Sequence, residues 1–255
     1  AGFGSIGEAM GGLRFLAGDP DRPPSRSGVS LGDMLAGMNG ALGALLALRA
    51  REATGAGQVV DVSLYESVLG VTEALVAEYV ATGRVRTRTG GVLPGVAPSN
   101  VYPTADDAWV LIAANHDAVF GRLASAMHRP DLADDPAYAG HIARGERQGE
   151  LDEIVAAWTR TRPAADLLAT LEEHGVPAGT VYTAADMLDD PQFLHRGSLV
   201  TVPDPTLGEV TMQNVAPRLS ATPGRIRSSA PALNEHGPEI VANLHADPHQ
   251  EQSSR

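Results

Sequence analysis

Apolar positions recur at helical spacing from the start of the chain. Ile6, Met10, Leu13 and Leu16, with Phe15 to one side, predict a helix over 5–17 that Gly18-Asp19-Pro20 and Pro23-Pro24 terminate. A longer run of Leu31, Met34, Leu35, Met38, Leu42, Leu45, Leu46 and Leu48, interspersed with Ala and Gly, predicts a tightly packed, mostly buried helix over 31–50. Arg49, Arg51 and Glu52 mark its solvated end, and Thr54-Gly55-Ala56-Gly57 is the turn. Val59, Val60, Val62 and Leu64, alternating with Asp61 and Ser63, then predict a short strand, followed by a helix from Tyr65 to about Val80.

Residues 83–100 change character. Gly83, Arg84, Arg86, Arg88, Gly90, Gly91, Pro94, Gly95 and Pro98 make a flexible basic loop of the kind found at domain boundaries. Beyond it the pattern is α+β: Val101-Tyr102 and Trp109 to Ala113 form a hairpin around Asp106-Asp107, then Val119, Phe120, Leu123 and Met127 share a helix face. Leu151, Ile154, Val155 and Trp158 form another. Pro163 at N1, His174 at the negative end and Gly175 at C′ punctuate a helix carrying Leu167, Leu168 and Leu171. A strand over 176–182, a short helix over 184–190, two strands over 198–215 and a helix over 238–244 precede a polar tail, 246–255, expected to be disordered.

Composition narrows the chemistry. The 19 basic residues against 31 acidic ones leave a net charge of −12, which disfavours a nucleic-acid footprint. All the basic residues are arginine, so a P-loop lysine, a Schiff-base lysine and a Ser-Lys dyad are excluded within these residues. Cysteine is absent, which removes disulfides, thiolate nucleophiles and Cys-ligated metals, and a reducing cytoplasm is the expected compartment. The most apolar stretch, around Ala41 to Leu48, falls short of the ~20 residues a membrane span needs, so no membrane association is expected. The opening Gly2 to Gly12 reads as the middle of an element, which suggests the C-terminal portion of a longer enzyme.

Several motifs have ordinary readings. Gly2-Phe3-Gly4-Ser5-Ile6-Gly7 matches G-x-G-x-x-G, but no strand leads into it and no acid ends a following strand, so it reads as a helix-entry loop. The eight histidines show no metal-binding spacing, and no metal is expected. Ser30 and Ser63 lack a nucleophile-elbow context, which disfavours a serine hydrolase. Two features stand out. One is the segment Gly2 to Gly12, which brings several glycines and Glu8 to a helix start. The other is Thr89-Gly90-Gly91-Val92-Leu93-Pro94-Gly95, which is either an interdomain linker or a loop whose bare N–H groups approach an anion or a reacting carbonyl.

The segment Ala1 to Leu13 resembles the P-G-F/Y-D-x-x-x-Q/E-A-x-x-G motif of the family III CoA-transferases, the formyl-CoA transferase and CaiB/BaiF group. Thr54 to Glu66 resembles that family's T-G-x-G-Q-x-V-D-V-S-L-x-E/D signature closely. Ala97-Pro98, Tyr102-Pro103-Thr104, Arg129-Pro130-Asp131, Gly175-Val176-Pro177-Ala178-Gly179 and Leu233-Asn234-Glu235-His236 follow in order.

The resemblance implies an α/β fold: a partial Rossmann-like large domain plus a small α+β domain. The expected boundaries are 1–60 for a remnant of the large, CoA-binding domain, 61–155 for the small domain with the glycine loop, 156–180 for a linker and 181–255 for the return to the large domain. It implies CoA transfer between an acyl-CoA and a small carboxylic acid, coenzyme A entering as the substrate thioester, and an interlocked homodimer. Gly90 and Gly91 match the loop that shields the acyl intermediates, and are the expected substrate-binding positions. In this alignment the family's nucleophilic aspartate falls on Gly4. Glu8, one helical turn on and roughly 6 Å along the axis, is the candidate catalytic replacement; its ordinary reading is a carboxylate packed near a helix N-terminus. Arg84, Arg86 and Arg88 either hold a substrate carboxylate or solvate a linker. The rival readings are a non-catalytic or truncated member and an α-methylacyl-CoA racemase-like enzyme.

Overall fold

Glycines decide where the first helices begin and end in the computed structural model, which describes residues 2–245; the tail 246–255 lies outside the described residues. The helix expected over 5–17 is two helices, α1 (Gly4–Met10) and α2 (Leu13–Leu16). Gly12 between them takes φ +90°, a left-handed conformation that turns the chain back on itself. A Cβ on Gly11 would stand 2.6 Å from Val68 Cβ, so its bare backbone lets the next helical layer approach.

Helix α3 (Leu31–Thr54) runs 24 residues and stops at Gly55, φ +76°. Its burial differs from the expectation. Only Gly32 is buried, while Met34, Met38, Leu42, Leu45, Leu46 and Leu48 are exposed, because nothing among the described residues covers that face. By length and composition α3 is also apolar enough to cross a membrane. The stretch from Ala41 to Leu48 understated it, because Leu31, Met34, Leu35 and Met38 ahead of that stretch extend the apolar run.

The strand expected over 59–64 does not form. Residues 58–63 belong to no strand or helix, and Val59 is 92% exposed. Ser63 instead caps α4 (Leu64–Leu69), its hydroxyl accepting from Glu66 N–H at 3.3 Å. The helix expected from Tyr65 to Val80 is likewise broken, into α4 and α5 (Leu75–Thr82), with Glu73 at φ +55° in the intervening turn.

The best-buried part of the chain follows. Strands β1 (Ser99–Pro103), β2 (Trp109–Ala113) and β3 (Ala178–Thr180) form an antiparallel sheet with Tyr102 opposite Val110 and Leu111 opposite Gly179. Helices α6 (Asp117–Ala126), α7 (Asp131–Asp134), α8 (His141–Glu146), α9 (Gln148–Thr159) and α10 (Ala164–Glu173) accompany it. Alternation along β2 sends Val110 and Ile112 inward to meet Leu123, Leu151, Val155, Leu167 and Leu171, all fully buried. Pro163 is the N-cap of α10 rather than its first residue.

Arg144 is buried among these elements. It donates to Ala97 O, Tyr138 O and Asn115 O at 3.2, 3.0 and 2.8 Å and to Asp117 at 2.6 Å, and it lies over the Phe120 ring.

The chain divides into two units after Val181. In the second, α11 (Ala184–Asp189) starts in a Thr183–Asp186 capping box and α12 (Pro191–His195) on Asp190. Strands β4 (Leu199–Asp204) and β5 (Gly208–Gln213) form a hairpin, and α13 (Gly237–His245) closes the described part. The whole is mixed α/β, with antiparallel strands in both sheets among the described residues.

Candidate active site

The start of α1 lies against the start of α3, and this places a carboxylate beside Gly4. A Cβ on Gly4 would stand 2.6 Å from Asp33 Cγ and 2.7 Å from Asp33 Oδ1. The space a side chain at position 4 would fill therefore already holds the carboxylate of Asp33, carried on the first turn of α3. Asp33 is exposed and has no hydrogen bond or ion pair among the described residues. A helix start fixes its backbone, and among the described residues no group competes for its oxygens, so the carboxylate is free to meet a substrate.

Glu8 is placed differently. It is buried on the inner face of α1. One carboxylate oxygen accepts from Arg14 Nε at 2.9 Å and the other from Gly32 N–H at 3.3 Å. Both oxygens are engaged, and the residue ties α1, the α1–α2 corner and the first turn of α3 together directly beneath Asp33. Gly32 is closely confined, since a Cβ there would meet Gly4 O at 2.9 Å and Glu8 Cγ at 3.3 Å.

The loop of Gly90 and Gly91 is tied to α2 and the turn that follows it. Gly90 N–H donates to Gly18 O at 3.0 Å, and Arg88 donates to Phe15 O and Asp19 O while lying over the Phe15 ring. The far end of the loop is held by Gln148 at the start of α9. Its amide accepts from Gly95 N–H at 3.1 Å and donates to Leu93 O at 3.1 Å and Val96 O at 3.0 Å. A cavity of about 490 Å³ lies beneath the loop, among Leu13, Leu16, Thr72, Glu78, Arg86 and Thr89. Thus Glu8 and the glycine loop do not contact each other directly; the short helix α2 is the element they share.

Of the three loop arginines, Arg86 and Arg88 are engaged within the protein, while Arg84 is largely exposed. Arg86 pairs with Glu78 at 2.8 Å and Glu73 at 3.2 Å, and Arg84 approaches Glu78 at 3.6 Å. The Arg86 hydrogen bond holds the Glu78 carboxyl below its ordinary range. Among the described residues no group of three or more potential metal ligands comes together.

Reading the sequence missed Asp33 and Arg14. Asp33 was submerged in an apolar helical pattern. The available signal was an acid in the first turn of a long helix emerging from a proline-rich loop.

The CoA-transferase family III matches residues 1–237 of this chain. Among curated proteins, it is 57% identical over 244 residues to the succinyl-CoA–D-citramalate CoA-transferase of Chloroflexus aurantiacus, covering 96% of this chain and 61% of that one. It is 39% identical over 246 residues to the succinyl-CoA–L-malate CoA-transferase beta subunit of the same organism, covering 95% and 61%. The chain thus spans about three-fifths of the length of these relatives. Among solved structures, a CaiB/BaiF family protein from Brucella suis superposes with a TM-score of 0.82 at 33% identity, covering 96% of this chain and 63% of that one. Since the match runs from the α1 corner that seats Asp33 through the glycine loop and the antiparallel sheets, the chain belongs to CoA-transferase family III.

Proposed function

We propose that this chain carries the acyl-transfer centre of a CoA-transferase that moves CoA between an acyl-CoA and a small carboxylic acid, with Asp33 as the nucleophile. The observation that carries the reading is the free carboxylate of Asp33 seated in the space left by Gly4. This shifts the catalytic assignment from Glu8, whose two oxygens are engaged, to the neighbouring acid that Glu8 supports through Gly32.

The chemistry follows from a carboxylate in that place. Asp33 attacks the thioester carbonyl; the C–S bond breaks, leaving an acyl–aspartyl anhydride and CoA thiolate. The thiolate attacks the aspartyl carbonyl, releasing the donor acid and leaving CoA thioesterified to Asp33. The acceptor carboxylate then reverses both steps and returns Asp33 as a carboxylate. Covalent storage conserves the thioester energy, provided water is kept out. The glycine loop, whose Thr89, Leu93 and Pro94 line the cavity beside α2, supports that shielding role.

The names of the relatives support dicarboxylic substrates, with succinyl-CoA as donor. The cysteine-free composition suits a reducing cytoplasm. The exposed apolar face of α3 supports a homodimer in which a second copy covers it, tested by light scattering: a dimer is expected, and a monomer at micromolar concentration overturns it.

The test of the central reading is to incubate the transferase containing this chain with succinyl-CoA and look for a CoA adduct by intact mass. The adduct is expected on the peptide containing Asp33 and absent in Asp33→Asn, with transfer falling at least about 10³-fold. An adduct on Glu8, or full activity of Asp33→Asn, overturns it. Exchange of the substrate α-hydrogen without CoA transfer would instead support the racemase-like reading.

A further inference from the structure

We infer that Arg14 is the residue that selects dicarboxylates, binding the distal carboxylate of the substrate whose other end reacts at Asp33. This rests on the transferase reading above and assigns it a specificity determinant.

A substrate with a second carboxylate needs a cation near the reacting group, and Arg14 can be compared with the three arginines of the glycine loop. Arg86 is committed to Glu73 and Glu78, and Arg88 to two backbone carbonyls and the Phe15 ring. Arg84 is largely exposed and sits beside Glu78.

Arg14 differs from Arg86 and Arg88 in having unused donors, and from Arg84 in being held at 2.9 Å rather than 3.6 Å and largely withdrawn from solvent. Only its Nε is used, donating to Glu8 at 2.9 Å, while its two terminal nitrogens have no partner among the described residues. The side chain is 24% exposed, and neither terminal nitrogen is among the buried atoms left without a partner, so both reach solvent. A guanidinium held by one edge and open at the other is preorganised to receive a carboxylate through its two terminal N–H groups.

Its position follows from local geometry. Gly12, at φ +90°, folds α2 back so that Arg14 returns to Glu8, six residues earlier. The opposite oxygen of Glu8 holds Gly32 N–H, and Gly32 precedes Asp33. One buried carboxylate therefore bridges the cation and the backbone that carries the nucleophile. That bridge fixes their separation, and it leaves the Arg14 charge available along its outer edge.

The experiment compares Arg14→Gln and Arg14→Lys with the unaltered transferase, using succinate and butyrate as acceptors. For Arg14→Gln, kcat/KM is expected to fall with both acceptors as Glu8 loses its brace, and about 10- to 100-fold further with succinate than with butyrate, the range of a charge-assisted hydrogen bond. Arg14→Lys recovers part of the succinate activity. An equal fall with both acceptors would mean that Arg14 acts only by bracing Glu8, and no change with either would mean that it takes no part; both outcomes overturn the inference.

Calorimetric titration with succinate and with butyrate supplies a readout independent of turnover. Weakened binding of succinate alone by Arg14→Gln upholds the Arg14 assignment even if the Asp33 variant shows the transfer reading to be wrong. Unchanged succinate binding overturns the Arg14 assignment, whatever becomes of Asp33.

Discussion

Asp33 and Gly4 occupy one volume: the carboxylate of the first begins where the side chain of the second would have been. Gly4 is the first residue of α1, where alanine is an ordinary occupant. Here the added methyl meets Asp33 Cγ at 2.6 Å, so Asp33 must move. Gly4→Ala is therefore expected to lower kcat on the order of 10²-fold, the cost of misplacing a reacting group by about 1 Å, with a change in Tm of only a few degrees. Steady-state kinetics beside a thermal melt check it. Unchanged kcat would show that the carboxylate at this spot does not react.

The clamp on the glycine loop gives a second prediction. Gln148 makes three hydrogen bonds to the backbone of residues 93–96, and Gly145 lies so near that a Cβ there would stand 2.9 Å from Gly95 C. Gln148→Leu keeps most of the volume and removes all three bonds. Amide hydrogen exchange over residues 89–96 is expected to accelerate about tenfold or more, consistent with the loss of one or two kcal/mol of local stability. The ratio of acyl-CoA hydrolysis to transfer is expected to rise with it. Faster exchange without more hydrolysis would separate the loop from water exclusion.

Much of the fold around the three-stranded sheet was legible because its signals are local and mutually consistent. Trp109 to Ala113 alternate as a strand must, Leu151, Ile154, Val155 and Trp158 share a helical face, and Gly175 at φ +65° ends α10 where the sequence places a stop. The first 80 residues were less legible. Val59, Val60 and Val62 alternate like a strand, yet a strand needs a hydrogen-bonded neighbour, and none is present among the described residues. The apolar residues of α3 suggested burial, although burial depends on what covers a face and not on the face itself. The site shows the same limit. Motif spacing led to Gly4 and Glu8, whereas Asp33 and Arg14 join them only through tertiary packing across 24 residues and a left-handed turn.

Acid sensitivity is expected at the Asp117–Arg144 pair. The Arg144 hydrogen bond, with smaller help from the nearby charges of Arg144, His116 and His141, holds the Asp117 carboxyl below its ordinary range against a desolvation cost. A carboxylate lowered in the folded state contributes stability that is complete above its unfolded value of about 4 and is lost as pH falls through the folded value. Wild-type Tm should therefore drop more steeply than that of Asp117→Asn below about pH 4, the two converging at the acid end. Parallel curves would show that the pair contributes nothing.

Arg144 itself supports more than this ion pair. Its guanidinium satisfies the carbonyls of Ala97, Asn115 and Tyr138, which belong to three separate loop segments, in a setting where its own side chain is 1% exposed. Replacing it with methionine preserves much of the packing over Phe120 but strands those acceptors, each costing about 1–3 kcal/mol when left without a donor or water. Partial relaxation of the loops will recover some of this, so Arg144→Met is expected to destabilise by roughly 3 kcal/mol. Urea unfolding followed by near-ultraviolet circular dichroism measures it. Because Ala97 ends the segment that Gln148 clamps, the same variant should accelerate exchange over residues 93–97. A loss of stability with exchange there unchanged would mean that Arg144 and Gln148 hold the loop independently.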